Sequence, residues 1–65
     1  MDGSLFFEIY RDGGRYRWRL RYGERILAES SEAYEDKKKC TAVLNFVRSQ
    51  ADLAPIRGLD PPRVD

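Results

Sequence analysis

The stretch Arg15-Tyr16-Arg17-Trp18-Arg19-Leu20-Arg21-Tyr22 alternates guanidinium groups with large apolar side chains without interruption. Successive side chains of an extended strand point to opposite faces, so this pattern gives one dry surface and one cationic surface. It predicts a strand with Tyr16, Trp18, Leu20 and Tyr22 turned to the core. Arg15, Arg17, Arg19 and Arg21 then form a row on the other side.

Working outward, Leu5 to Arg11 alternates Leu5, Phe7 and Ile9 with Phe6, Glu8 and Tyr10, which predicts a second strand with one apolar face. Asp12-Gly13-Gly14 lies between the two. A type I′ turn on Gly13-Gly14 sets Ile9 opposite Trp18, Phe7 opposite Leu20 and Glu8 opposite Arg19, whereas a longer loop sets Glu8 against Trp18. Burial cost selects the first register, because a slip by one exchanges the faces of the strand. Downstream, Gly23-Glu24 suits a type II′ hairpin into a third strand, Arg25 to Glu29, with Ile26 opposite Arg21 and Leu27 opposite Leu20. A longer loop turns Ile26 and Ala28 inward instead, and five residues leave both readings open.

Ser30 to Tyr34 reads as a polar connection. Asp36 is an N-cap for a helix running to about Ala51, in which Cys40, Val43, Leu44 and Val47 form one apolar stripe. Burying the larger of these is worth on the order of 1.5 to 3 kcal/mol each if the stripe meets the Phe7, Trp18, Leu20 face. Phe46 falls outside the stripe, at its margin or at an interface. Beyond Asp52 the apolar residues lose helical period, and Pro55 forbids a central strand. A short edge strand over Ile56 to Leu59 is expected, and residues 61–65 read as a disordered tail after one domain spanning 1–60.

At 65 residues, the chain buries only roughly 60% of its unfolded surface and needs an added staple. A single Cys and the absence of His leave neither a disulfide within the chain nor a zinc ligand set. A second copy is the remaining staple. Twelve Lys and Arg against eleven Asp and Glu give a net charge of +1, so no global field drives nonspecific binding. The charges are unevenly placed, with six Arg in residues 11–25 and only acids in residues 29–36. No apolar stretch reaches membrane-spanning length and no signal-peptide core stands at the N-terminus. With one unpaired Cys, the expected compartment is the cytoplasm.

The chain resembles the YegP-like domains of unknown function, short prokaryotic units found singly or in tandem. The likeness rests on Phe7-Glu8-Ile9-Tyr10 with Asp12, on Tyr16-Arg17-Trp18-Arg19-Leu20, and on Gly23-Glu24 followed by Ile26, Ala28 and Ser30. It continues through Tyr34 and Lys37 to Cys40, Leu44 and Val47 ahead of Ala54-Pro55. The resemblance implies an α+β unit of order β-β-β-α-β, working in pairs that form one continuous sheet with C-terminal strands exchanged. A chain with one unit is then a homodimer, with Ile56 to Leu59 crossing to the partner. Gly58 and Pro55 depart from a good strand former there. The resemblance implies no activity, cofactor, substrate or catalytic residue.

Arg15, Arg17, Arg19 and Arg21 are the candidate contacts for an anion or nucleic acid, since guanidinium forks match phosphates bidentately. A three-stranded sheet backed by a helix also looks like the plant ethylene-response type of DNA-binding domain. There the aromatic residues must face DNA, whereas alternation turns Trp18 away from the Arg row, and the balanced charge removes the usual electrostatic excess. The competing expectation is that the row pairs with Glu8, Glu24, Glu29 or a partner's acids. Lys37, Lys38 and Lys39 read as a solvated face, and Cys40 as a small core residue rather than a reactive thiol. No Ser or Cys stands beside a credible base and no phosphate-cradling loop is present, so the expectation is a structural or interaction protein rather than an enzyme.

Overall fold

The computed structural model describes residues 3–59 and orders β1 (Leu5–Asp12), β2 (Arg15–Tyr22) and β3 (Arg25–Glu29) ahead of the helix α1 (Lys37–Gln50). The strands form one antiparallel sheet in the order β1-β2-β3. Gly13 and Gly14 both have positive φ, 57° and 89°, which is what a type I′ turn requires of its two central residues. The register follows from that turn. Phe7 lies opposite Leu20, Glu8 opposite Arg19 and Ile9 opposite Trp18, as the burial argument selects.

The second hairpin also turns on a positive-φ glycine, Gly23 at 61°, and Glu24 has no positive φ. Ile26 pairs with Arg21 as expected. Leu20, however, faces Ala28 rather than Leu27, because the register shifts between Leu20 and Arg21. Leu27 is the extra residue of a bulge. Without that shift Glu29 would stand opposite the buried Trp18, at the cost of desolvating a carboxylate. With it, Glu29 stands opposite Arg19 on the wet face.

Asp36 caps α1, its Oδ1 accepting from the Lys39 N–H at 2.8 Å. The helix packs on β2 through Cys40 and Leu44, which are 0% and 8% exposed, against Trp18 at 8%. Phe7, Ile9, Tyr16, Tyr34 and Val47 surround that core partly buried, and Val43 is half-buried. Phe7 meets the indole edge to face, with ring centroids 5.9 Å apart at 73°. The expected stripe is the buried one, and Phe46, 67% exposed, is outside it.

The connection after β3 is tied down more firmly than its polar composition suggests. Ser30 is buried, its N–H donates to the Trp18 carbonyl at 2.8 Å, and its Oγ accepts from the Trp18 N–H at 3.3 Å. Tyr34 and Tyr16 exchange both backbone hydrogen bonds, at 2.7 and 2.8 Å. The outer side of β2 is thus paired from end to end.

After α1 a 3-10 turn, Ala51–Leu53, leads into a segment that forms no strand through Leu59 within this chain. Ile56 and Leu59 are 83% and 91% exposed. The edge strand expected over Ile56 to Leu59 is not formed among the described residues. The radius of gyration is 14.2 Å, against roughly 11 Å for a compact chain of this length. The tail expected over residues 61–65 lies outside the described residues. Among the described residues no helix is long and apolar enough to cross a membrane.

Candidate functional site

Parity in β2 puts Arg15, Arg17, Arg19 and Arg21 on the sheet face away from α1, each opposite a β1 residue of the same face: Asp12, Tyr10, Glu8 and Phe6. The row is assembled as expected, but most of it is already engaged. Arg19 Nε donates to Glu8 Oε1 at 2.7 Å, and Arg21 Nη1 donates to the same oxygen at 3.1 Å. Arg17 Nε donates to Asp12 Oδ2 at 2.8 Å and its Nη1 to the Ser30 carbonyl at 3.1 Å. Among the described residues the Arg15 guanidinium forms neither an ion pair nor a hydrogen bond.

The guanidinium planes also lie on aromatic rings. Arg19 Cζ is 4.3 Å from the Tyr10 ring centroid and Arg21 Cζ is 5.4 Å from that of Phe6. Tyr10 Oη donates to Glu29 Oε1 at 3.4 Å, closing a network of Glu8, Arg19, Tyr10 and Glu29. Most of the charge on this face is paired, and Phe6 and Ile26 are partly bare on it. The Glu8–Arg19 pair was legible from the register. The Arg17–Asp12 pair was not, because it runs diagonally, past the Arg15 that stands opposite Asp12.

Hydrogen bonds from Arg19 and then Arg21 hold the Glu8 carboxyl below its ordinary value of 4.5, and the same bond raises Arg19. A carboxyl whose folded value is lowered contributes stability that is complete above the unfolded value and lost as pH falls through the folded one. Glu8→Gln should therefore melt at a lower temperature than the natural chain at neutral pH. The gap should close on acidification below 4.5. Melting curves that stay equally far apart down to about pH 3 would remove Glu8 from that role.

On the helix side, α1 lies over β2 and leaves a groove along β1. One end is a cavity of about 580 Å³ lined by Phe7, Ile9, Arg11, Tyr16, Lys37 and Leu44 among others. The other, about 480 Å³, is lined by Leu5, Phe6, Phe7, Leu20, Leu44 and Arg48 among others. Phe7 and Leu44 line both. The middle is apolar and the ends are cationic. Sequence reading missed this groove, since alternation shows which residues face the helix but not how far across the sheet the helix sits.

Among the described residues neither face brings a nucleophile together with a base. Cys40 is enclosed, and burial pushes its thiol up, away from the reactive thiolate. Lys37, Lys38 and Lys39 are exposed. Among the described residues no three His, Cys, Asp or Glu side chains could hold a metal ion.

The family model described as a domain of unknown function, DUF1508, matches residues 12–57. Two UPF0339 proteins of Neisseria meningitidis, one from serogroup B and one from serogroup A, are each 32% identical over 54 residues, covering 82% of this chain and 96% of theirs. No solved structure matches the chain significantly. A match from the first turn through β2, β3 and the helix, with relatives similar over nearly their whole length, places the chain in the YegP-like DUF1508 family, whose function is unknown.

Proposed function

We propose that the chain acts as a homodimeric structural or interaction protein without enzymatic activity, its two copies joined by sheet continuation and exchange of their C-terminal segments. One observation carries this reading. The single chain encloses only Trp18, Cys40 and Leu44 as apolar core, while Leu5, Ile26, Leu27, Phe46, Leu53, Ile56 and Leu59 stay exposed among the described residues. Three enclosed side chains ringed by five partly buried ones make a thin core for a domain of this size. A strand over Ile56 to Leu59, paired to a second copy, supplies the missing burial and turns the unit into β-β-β-α-β. A single domain over residues 1–60 without cofactor or membrane contact fits this role, and an unpaired buried Cys40 fits the reducing cytoplasm.

The alternative, nucleic-acid contact through Arg15, Arg17, Arg19 and Arg21, is weakened by the partners that three of these already hold in the chain. Phosphates would have to displace Glu8 and Asp12.

Sedimentation equilibrium tests the dimer. The expected mass is near twice 7.6 kDa. Ending the chain after Ala54 should abolish the dimer. Because that chain can also unfold, the full-length double variant Ile56→Asp with Leu59→Asp provides a second measure, expected to raise the dissociation constant by roughly a hundredfold or more from the loss of two buried apolar side chains. A natural chain that sediments as a monomer, or a double variant that dimerises unchanged, overturns the proposal.

A further inference from the structure

The two sides of the sheet spend their cations differently. On the open face Arg17, Arg19 and Arg21 each hold a carboxylate. On the helix side Arg11 and Lys37, both exposed and both lining the larger end of the groove, hold none among the described residues. Strand parity is the cause. Asp12, next to Arg11 in sequence, turns to the other face and is taken there by Arg17 at 2.8 Å. Two positive charges are thereby left beside an apolar floor of Phe7, Ile9 and Leu44.

Arg11 is also held in position. Its Cζ stands 5.3 Å from the centroid of the Tyr16 ring, itself a wall of the cavity. A guanidinium resting on a ring through its face keeps its N–H edges available, and a carboxylate accepts two of them in parallel. Lys37 is the first residue of α1. The helix start adds its partial positive charge there, with Asp36 Oδ1 committed to the N–H of Lys39.

These features select a ligand. A bare inorganic anion leaves Phe7, Ile9 and Leu44 uncovered, and a neutral hydrocarbon leaves the two cations without a counter-charge. A molecule with both parts satisfies both. The cavity, about 580 Å³, lies within the roughly 300 to 1,000 Å³ of small-molecule sites. From Arg11 to Phe7 is about 13 Å of strand, the reach of a medium-chain acid. We infer that this cavity binds a medium-chain carboxylate, its head between Arg11 and Lys37 and its tail across Ile9 and Phe7 against Leu44. The inference goes beyond the dimer reading and does not use it, since every residue named belongs to one chain.

Octanoate titrated into the natural chain and followed by amide chemical shifts tests this, with octanol and acetate as the two halves of the probe. The expected result is saturable shifts at Ile9, Arg11, Tyr16, Lys37 and Leu44, with a dissociation constant on the order of 1 mM or tighter. Octanol and acetate should each bind about tenfold more weakly or worse. The double variant Arg11→Gln with Lys37→Gln, both exposed positions, should weaken octanoate by a similar factor, and Arg48→Gln at the other end of the groove should leave it unchanged. Octanol that binds as tightly as octanoate removes the cations from the site, acetate that binds as tightly removes the floor, and either overturns the inference. So do shifts confined to the face of Arg15, Arg17, Arg19 and Arg21, or shifts that do not saturate. A monomer that binds octanoate leaves the inference standing and overturns the dimer reading alone.

Discussion

Trp18→Ala should leave a chain with no cooperative unfolding transition at room temperature. The indole is the largest of the three enclosed apolar side chains, touches the helix through Cys40 and Leu44, and meets Phe7 edge to face. Truncating such a residue to Ala costs about 3 to 5 kcal/mol. A chain of this length holds roughly 3 to 10 kcal/mol in total at the usual stability per residue. The loss takes most of it. Circular dichroism melts and proton NMR dispersion check the outcome, and a variant that melts within about 1 kcal/mol of the natural chain would refute Trp18 as the centre of the core. Trp18→Phe should be milder than its volume change suggests. The indole Nε1 is buried without a hydrogen-bond partner among the described residues, so the substitution also removes an unsatisfied donor.

Leu44→Ala should be the next most damaging change, costing about 2 to 5 kcal/mol by urea unfolding at fixed protein concentration. Leu44 is the helix residue shared by both ends of the groove, so its loss opens a void that β1 and β2 cannot both close. Phe46 is the contrasting test. It is larger yet exposed, and Phe46→Ala should shift the stability of the single chain by no more than about 0.5 kcal/mol. A reversed order would mean that the helix presents a different stripe to the sheet.

The first hairpin was legible in the sequence because three local signals agree there. Apolar parity, the Gly13-Gly14 turn and the Glu8–Arg19 charge pair each select the same register, and a slip penalises all three. The helix was legible for a similar reason, its Asp36 cap coinciding with the start of the apolar stripe. β3 was only half legible. Five residues offer too few alternations to reveal a bulge whose cause, keeping Glu29 off Trp18, lies on another strand. Ser30 and Tyr34 were unreadable as β2 partners because their part depends on backbone groups that the sequence does not mark. The last segment shows the same limit more plainly. Leu53, Ile56 and Leu59 are apolar, yet a strand is defined by its neighbour, and one chain supplies none.

The Arg row was placed correctly while its chemistry was not fully foreseen. Alternation fixes which way a guanidinium points, and register fixes what stands opposite. Diagonal reach, as from Arg17 to Asp12, and stacking on Phe6 and Tyr10 depend on twist and rotamer. These engagements leave Arg15 as the one guanidinium of the row without an ion pair among the described residues.

The displaced Leu27 has a consequence for growth. A sheet able to lengthen from both sides can recruit copies without limit, which is the route to filaments and insoluble polymer. With the β3 border kinked out of register, only the straight border of β1 presents an unbroken ladder for edge-to-edge growth. A single inserted residue thereby limits polymerisation as well as setting local pairing.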